Sequence, residues 1–407
     1  MLLYRKLIIF GMLIVFIILS SCSDKAIPFE IPKTYLNLDT LRINDIKTMT
    51  YQTPPSMGNT PSLYFGSENG YNNLFSLVQI SPIAAAGEII NIAALLDPDF
   101  TIDSLVFSIT YDSDSLNTSA EFDIYYFPDH PDSIFNELSH YKNINEDNIV
   151  GAEWLSTSTL TQTVPESTET NYPELKFSIP LASNFLDFFS DTTDGGRNRT
   201  FMIKEREEID RILGFKSRES LVSPKLVTYY QDDDNNYSST FIASGDITIL
   251  EPAALTEEDT AYITISRAKG LKSIIQISVD STLVNSEQIL IMSANLSLFL
   301  KNQNTDYYKI SSSPLSDTVE VRKFWIEAED EIKVKMNVLL NDTLQKDLMK
   351  SQLRPYLQAL NDQLFDNLGL KLYSNINSDP FRSVHFYHHS TVVDSMNPFI
   401  RVLYVSP

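Results

Sequence analysis

The sequence predicts an all-β fold in which two antiparallel β-sandwiches, with a few short helices, follow each other along 407 residues. Three observations support this prediction. Short apolar segments alternate with polar residues at a period of two, which is typical of strands with one buried face. The apolar segments show no regular strand–helix alternation of the kind that indicates a parallel sheet. The order of segments in the first half also recurs in the second half, which indicates a tandem repeat.

The N-terminus has the charge and hydropathy pattern of a secretory signal peptide over residues 1–21. Arg5 and Lys6 precede the apolar run Leu7–Leu19, and two serines follow it. At about 1.5 Å per residue this run covers roughly 20 Å, less than the hydrocarbon core of about 30 Å that a permanent transmembrane helix crosses. We therefore expect the segment to be removed after export.

The string Leu19-Ser20-Ser21-Cys22 resembles the lipobox of bacterial lipoproteins, and it contains the only cysteine of the chain. The resemblance implies that Cys22 is acylated and becomes the mature N-terminus, with residues 22–35 as a tether. Two or three acyl chains hold a protein on a bilayer stably. An aspartate directly after the cysteine resembles an inner-membrane retention signal, but here Ser23 comes first and Asp24 second. We therefore expect a location in the cell envelope, at the outer membrane of a Gram-negative bacterium.

The composition makes some partners unfavourable. Asp and Glu number 53 against 31 Lys and Arg, which gives a formal net charge of −22. Such a surface repels nucleic acid and anionic headgroups, so we expect no nucleic-acid partner and a membrane contact through the N-terminal lipid. Because the single cysteine is assigned to lipid, no disulfide is available, and burial of the core has to stabilise the fold.

The two halves begin and end with similar segments. Ser76–Ser81 (SLVQIS) recurs as Ser273–Ser278 (SIIQIS), and Pro224–Tyr230 matches Pro398–Tyr404 as P-x-[LI]-x-[TV]-x-Y. Further expected strand pairs lie between these ends: Leu105–Tyr111 with Leu296–Leu300, Phe177–Leu181 with Met336–Leu340, and Phe201–Ile203 with Leu370–Leu372. The middle pair is expected to continue into short helices at Asn184–Phe189 and Asp342–Leu348.

The polar run Gln231–Asn236 is the expected domain boundary, because it has no apolar side chain to bury. The first sandwich is expected over residues 36–235 and the second over residues 236–407. Phe241–Leu250 would then be the entering strand of the second domain. It corresponds to the region around Leu38–Met49 in the first domain.

The last part of each half resembles a known family. The first half contains an F-x-S-R-E string made of Phe215, Ser217, Arg218 and Glu219. The proline that opens the next expected strand is Pro224. These residues resemble the C-terminal signature of DNRLRE-type domains, which are jelly-roll sandwiches similar to carbohydrate-binding module family 96. The second half keeps Pro398 but has Val384–His389 in place of F-x-S-R-E. The resemblance implies tandem jelly-roll-like domains that bind or attach to extracellular polysaccharide without catalysis.

The signature residues also have a purely structural explanation. Phe215 at a strand position is explained by core packing, and Arg218 with Glu219 by a polar pair at a turn. Proline has no backbone N–H to donate to a β-ladder. At the first position of a strand, as expected for Pro224 and Pro398, this disturbs the ladder hydrogen bonds least.

The sequence has no recognisable catalytic or metal-binding motif. The strings G-x-S-x-G, H-E-x-x-H and G-x-x-x-x-G-K-[ST] are absent, so no catalytic residue and no cofactor is predicted. His385, His388 and His389 cluster, but strand alternation would place His388 on the opposite face. Aspartate-rich runs at 97–99, 112–117 and 232–236 offer oxygen ligands for calcium but lack the glycine-bearing twelve-residue loop. They are interpreted as solvated loops, and no metal site is assigned.

Exposed aromatic rings would mark a sugar-binding face. The candidates are Trp154, Trp325 and one ring of each pair, Tyr125–Tyr126 and Tyr229–Tyr230, because alternation turns one side chain of a strand pair outward. The alternative for each ring is packing in the core or at a sheet edge.

The predicted function is that of a cell-envelope lipoprotein, a non-catalytic binding or adhesion module for polysaccharide or another surface ligand. The alternative is a structural or assembly lipoprotein that binds envelope proteins, and a glycan-active enzyme comes third.

Overall fold

The computed structural model describes residues 37–89, 91–113, 119–127, 134–144, 149, 151–160, 172–181, 199–232, 235–279, 283, 289–301, 308–315, 334–338, 348–364, 366–375, 379–388 and 394–406. These residues confirm an all-β antiparallel sandwich fold. No helix within these ranges is long and apolar enough to cross a membrane.

The strands up to the middle of the chain are β1 (Asn37–Ile43), β2 (Ile46–Gln52), β3 (Ser62–Glu68), β4 (Tyr71–Ile80), β5 (Thr101–Thr110), β6 (Ala120–Tyr126), β7 (Glu153–Leu160), β8 (Glu174–Ile179), β9 (Thr200–Glu205), β10 (Leu213–Lys216), β11 (Lys225–Gln231) and β12 (Asn236–Glu251). The later strands are β13 (Ile263–Ser266), β14 (Leu271–Ile277), β15 (Leu290–Phe299), β16 (Tyr308–Pro314), β17 (Val334–Val338), β18 (Leu348–Gln352), β19 (Leu370–Ser374), β20 (Ser383–Phe386) and β21 (Phe399–Ser406). Two short helices, α1 (Glu257–Ala261) and α2 (Arg354–Asn361), lie among the later strands.

The first sandwich consists of β3 to β12. One sheet has the order β8-β5-β11-β12 and the other the order β12-β4-β9-β6-β7, with β3 paired to β4 and β10 paired to β3. The long strand β12 belongs to both sheets, because residues 236–242 pair with β11 and residues 243–251 pair with β4. Alternating side chains such as Phe122, Ile124 and Tyr126 on β6 point into the core between the sheets.

The second sandwich has the same strand order. One sheet is β18-β15-β21-β1, and the other contains β2-β14-β19-β16-β17, with β13 paired to both β14 and β20. In this sandwich β1 and β2 together take the place of β12, with the break between them at residues 44–45. The second core lies between these two sheets and includes Ile46, Leu296 and Leu372.

The first strand of each half therefore lies in the other half's sandwich. The expected correspondence of Phe241–Leu250 with Leu38–Met49 agrees with the pairing, because both segments contact equivalent strands. However, β12 hydrogen-bonds to β4 and β11 of the first half, whereas β1 and β2 hydrogen-bond to β21 and β14 of the second half. The expected boundary between residues 235 and 236 falls at the turn between β11 and β12, which pair with each other.

Equivalent buried hydrogen bonds hold β12 in the first sandwich and β2 in the second. On β12, the Thr248 hydroxyl accepts from the Tyr64 backbone N–H at 2.8 Å and lies 3.1 Å from the Ser76 hydroxyl. In the second sandwich an equivalent set is formed, with distances of 3.1 and 2.8 Å, by Thr50, Thr264 and Ser273. A buried hydroxyl without a partner costs about 1–3 kcal/mol, so this set favours one register of the strand.

The repeated segments occupy equivalent places with one exception. Ser76 lies opposite Thr248, and Ser273 lies opposite Thr50, as the SLVQIS and SIIQIS strings predict. The expected match of Phe177–Leu181 with Met336–Leu340 is wrong. The first segment begins in β8 at the edge of the sheet with β5, whereas β17 pairs with β16 in the opposite sheet, and the partner of β15 is β18. Leu348 starts β18 instead of ending a helix, and Asn184–Phe189 lies outside the described residues.

The two sandwiches contact each other through a third apolar cluster. It lies on the outer face of the β4 sheet and includes Phe75 and Ile247 of the first sandwich together with Ala268 of the second. The Phe381 ring packs edge-on against Tyr64 and Tyr71, with ring centres 5.0 and 5.2 Å apart. Burial of these rings ties the two sandwiches together.

Candidate functional site

The predicted lipid-attachment segment lies outside the described residues. Leu19, Ser20, Ser21 and Cys22 all precede Asn37, where the description begins. Their role therefore stays a prediction. The tether of residues 22–35 leads to β1, and β1 belongs to the second sandwich.

The F-x-S-R-E residues form the end of β10 and the turn that follows it. Phe215 is fully buried in the first core and packs against the Phe65 ring at a centre distance of 5.3 Å. The buried Ser217 hydroxyl donates to the Thr60 carbonyl oxygen at 2.6 Å and accepts from the Glu219 backbone N–H at 3.1 Å. These contacts fix the turn against the residues that precede β3.

Arg218 connects this turn to β12. Its backbone N–H donates to Asp246 Oδ2 at 2.6 Å, and its guanidinium group donates to the Ser244 carbonyl oxygen. The guanidinium also lies 2.9 Å from a carboxylate oxygen of Glu219 and 3.7 Å from one of Glu137. Burial raises the pKa of Asp246 to about 7, although the contacts with Arg218 lower that pKa. The backbone and side chain of Arg218 thus contact other residues of the same chain, as the structural explanation of the signature expects.

The two signature prolines are buried and stand directly before the last strand of each repeat. Pro224 precedes β11 and Pro398 precedes β21, where a missing N–H leaves the ladder intact. In the second sandwich Phe386 is buried at the position that Phe215 has in the first.

The histidines of the second half have separate protein partners. His385 Nδ1 lies 3.0 Å from Thr264 Oγ1, and His388 Nε2 lies 2.8 Å from the Thr48 carbonyl oxygen. His389 is outside the described residues. Within the described ranges no group of three or more His, Cys, Asp or Glu side chains has an arrangement that could hold a metal ion.

The aspartates of the aspartate-rich runs take part in local structure. Asp97 Oδ1 accepts from the Asp99 backbone N–H at 3.0 Å, and Asp232 Oδ1 accepts from the Asn235 backbone N–H at 2.8 Å. Such bonds hold turns in place. Asp112 forms an ion pair with the lysine at the end of β10.

The aromatic candidates divide between core and surface as alternation predicts. Tyr126 and Tyr230 are buried in the first core, whereas Tyr125 lies half-buried on the outer face and Tyr229 is exposed. Trp325 is outside the described residues. Trp154, on the edge strand β7, is 58% exposed.

Trp154 belongs to a polar outer surface of β6, β7 and β9, here called the Trp154 face. Its indole Nε1–H donates to Asp123 Oδ1 at 3.1 Å, and Asp123 also accepts from the Thr157 hydroxyl. Arg206 Nη1 lies 3.4 Å from Thr157 Oγ1 and 3.9 Å from Glu121 Oε2. Hydrogen bonding through the indole N–H thus orients a side chain that is 58% exposed to solvent.

A groove with a volume of about 920 Å³ adjoins the Trp154 face, since Arg206 belongs to both. One wall of this acidic groove is the β3–β4 hairpin, where Asn69 and Gly70 have φ angles of 52° and 84°. An Asn-Gly pair suits such a two-residue turn because both positions need positive φ. The acidic side chains that line the groove are Glu68, Glu205, Glu207, Glu208 and Asp210.

The fold shifts the pKa of Glu205, one of the acidic side chains of the groove. Burial raises its pKa to about 7, although backbone N–H groups of Gly66 and Ile209 donate to it and lower that pKa. The group is therefore partly protonated near neutral pH and can both donate and accept a hydrogen bond.

The sequence identified Trp154 as a candidate but gave no signal for its neighbours. Asp123 lies on β6, Thr157 on β7, and Arg206 directly after β9, so their adjacency depends on the long-range pairing of these strands. The Asn69-Gly70 turn was detectable as a hairpin signal, and the acidic run at 207–208 was visible only as charge.

Comparisons with known proteins give no family for this chain. No family model matches the sequence, and no curated protein matches it. Two solved structures align with most of this chain, both with low TM-scores. The nodavirus of Macrobrachium rosenbergii has 10% identity and a TM-score of 0.16, with 91% of this chain and 89% of that chain covered. The T=3 nodavirus of Penaeus vannamei has 9% identity and a TM-score of 0.14, with 91% and 90% covered.

Proposed function

We propose that this protein is a lipid-anchored, non-catalytic binding module of the bacterial cell envelope, and that it holds polysaccharide on the Trp154 face. The observation that carries the proposal is the exposed indole of Trp154, oriented by its hydrogen bond to Asp123. An aromatic ring offers a flat apolar surface against which the C–H groups of a pyranose ring can pack.

The surroundings of Trp154 supply the polar part of such a site. Sugar hydroxyls need both donors and acceptors, and Arg206 and Asp123 provide these beside the ring. The acidic groove extends this surface and could accommodate further sugar units next to carboxylates such as Glu208. The resemblance to carbohydrate-binding module family 96 points to the same ligand class.

The test is binding of the lipid-free chain to a glycan array, followed by titration of the best glycan. Trp154→Ala should weaken binding at least about fivefold, because stacking on a ring contributes on the order of 1 kcal/mol beyond buried area. Tyr229→Ala removes an exposed ring from the opposite sheet of the same sandwich and should leave the affinity unchanged.

Two outcomes would contradict this proposal. The wild-type chain could bind no glycan better than a protein-free control, or both alanine variants could weaken binding equally. Envelope proteins captured through Trp154 after cross-linking, without any glycan binding, would instead support the alternative of an assembly lipoprotein.

A further inference from the structure

A cleft between the two sandwiches contains an unusual concentration of positive charge for so acidic a protein. This inter-unit cleft has a volume of about 430 Å³ and lies between the β2–β3 linker, the β13–β14 hairpin and the end of β19. Its charged lining residues are Arg267, Lys272 and Glu137. The volume falls within the range of small-molecule sites.

Arg267 lines the cleft and contacts backbone oxygens there. Its Nε donates to the Ser56 carbonyl oxygen at 3.2 Å, and its guanidinium group also donates to the Gly58 carbonyl oxygen. Burial lowers the pKa of Arg267. Carbonyl dipoles hold the side chain in place without neutralising its charge.

Lys272 is the second cation and lies on β14. It is half-buried, opposite Tyr51 of β2. The neighbouring strand β19 carries Lys371, which is 6% exposed and faces the same region. Burial, and then the charge of Lys371, lower the pKa of Lys272 to about 7.

Within the described part of the chain, neither Arg267 nor Lys272 forms an ion pair with a carboxylate. Among the described residues that line the cleft, the one acid is Glu137, which accepts a hydrogen bond from Asn59 Nδ2 at 2.5 Å and lies 3.7 Å from Arg218. The charge of Glu137 raises the pKa of Arg267 and so offsets part of the effect of burial on that guanidinium. A half-buried ammonium group without a counter-ion is costly, and a bound anion would offset that cost.

We propose that the inter-unit cleft binds a small organic anion through its carboxylate, with Lys272 as the counter-ion and Arg267 as a second positive charge. Such a carboxylate occurs both in free sugar acids and in the uronic acid units of acidic polysaccharides. This site is separate from the Trp154 face and does not depend on the proposed function.

The test is calorimetric titration of the chain at pH 6, where the Lys272 amine is protonated, with galacturonate as the probe. Galactose is the uncharged match, inorganic phosphate is the alternative anion, and tetragalacturonate represents the polysaccharide source. Galacturonate should bind at least tenfold more tightly than galactose. Equal affinity of monomer and tetramer indicates a free acid, and tighter binding of the tetramer indicates a polysaccharide unit.

Variants connect the binding to the cleft. Lys272→Met keeps most of the side-chain volume and should weaken galacturonate binding at least tenfold, because the charge is lost. Lys272→Arg should retain most of the binding, which shows that the Met variant acts through charge and not through misfolding. The control Lys350→Met removes an exposed lysine of β18 and should change nothing.

The proposal is overturned if galacturonate does not bind, if galactose or phosphate binds as tightly, or if Lys272→Met and Lys350→Met behave alike. Trp154→Ala should leave galacturonate binding intact, so failure at either site can be distinguished from failure at the other.

Discussion

At the scale of single residues, Asp246 shows how the signature string acts within the fold. The sequence predicted that Arg218 and Glu219 form a polar pair, and the two side chains do lie 2.9 Å apart. The carboxyl group that receives the Arg218 backbone N–H, however, comes from β12. No local pattern in the sequence links residues 218 and 246, because they are brought together by the pairing of β12 with its neighbouring strands β11 and β4.

Asp246 should make the fold less stable as pH rises. Its pKa is about 7 in the folded chain and 3.8 ordinarily, so the folded state binds this proton more tightly than the unfolded chain. The free energy of unfolding should therefore fall between about pH 4 and pH 7. Asp246→Asn, which can still accept from Arg218, should reduce this fall by on the order of 2 kcal/mol. Urea unfolding at pH 5 and pH 8 measures the difference.

The exposed Asp366→Asn is the matched control and should leave the pH dependence as it is in the wild type. Glu205, whose pKa is also raised, contributes equally to all three proteins. If the free energy of unfolding of Asp246→Asn falls between pH 5 and pH 8 as much as that of the wild type, the raised pKa of Asp246 is contradicted.

At the scale of elements, alternation and repetition predicted most strands and their correspondence. Phe201–Ile203 and Leu370–Leu372 were matched correctly, since both lie in the strand next to the SLVQIS or SIIQIS segment. What the sequence could not predict is which sheet the first strand of each half joins. The pairing of β1 with β21 joins opposite ends of the chain, and local sequence carries no signal for contacts at that separation.

Because β2 pairs with β14, a substitution in β2 should change the stability of the second sandwich. Thr50→Val removes a buried hydroxyl that accepts from the Thr264 backbone N–H, and it should destabilise the second sandwich by about 1–3 kcal/mol. Hydrogen exchange should therefore accelerate in β13, β14 and β21, although residue 50 lies near the N-terminus. The measurement is amide exchange of the variant against the wild type.

Thr248→Val is the reciprocal control, because its hydroxyl makes the equivalent contact with Tyr64 in the first sandwich. Its faster exchange should appear in β3, β4 and β11. Faster exchange in the first sandwich after Thr50→Val would mean that β2 does not belong to the second sandwich.

At the scale of the whole molecule, the strand exchange decides which sandwich lies nearer an N-terminal anchor. The predicted tether, residues 22–35, precedes β1 in the sequence, and β1 is an edge strand of the second sandwich. About fifteen extended residues reach at most roughly 50 Å. With Cys22 acylated, the second sandwich would lie next to the membrane and the Trp154 face of the first would be carried beyond it.

The anchor itself is tested by Cys22→Ser. This variant should lose labelling by a fatty-acid analogue and should no longer fractionate with outer membranes, because no thiol remains to carry the lipid. Metabolic labelling and membrane fractionation measure the two effects. Ser23→Ala, beside the acylation site, should be labelled as the wild type is. Unchanged labelling of the serine variant would refute the lipoprotein assignment.

The pairing of β1 and β2 with the second sandwich also has a mechanical consequence. Tension between an anchored N-terminus and a ligand held by the first sandwich would enter the protein through β1. That strand is hydrogen-bonded to β21 from Asn37 to Ile43, and β2 is bonded to β14 from Ile46 to Gln52. Load would therefore act on two ladders of backbone hydrogen bonds and on the apolar contact between the sandwiches before the covalent linker to β3 became taut.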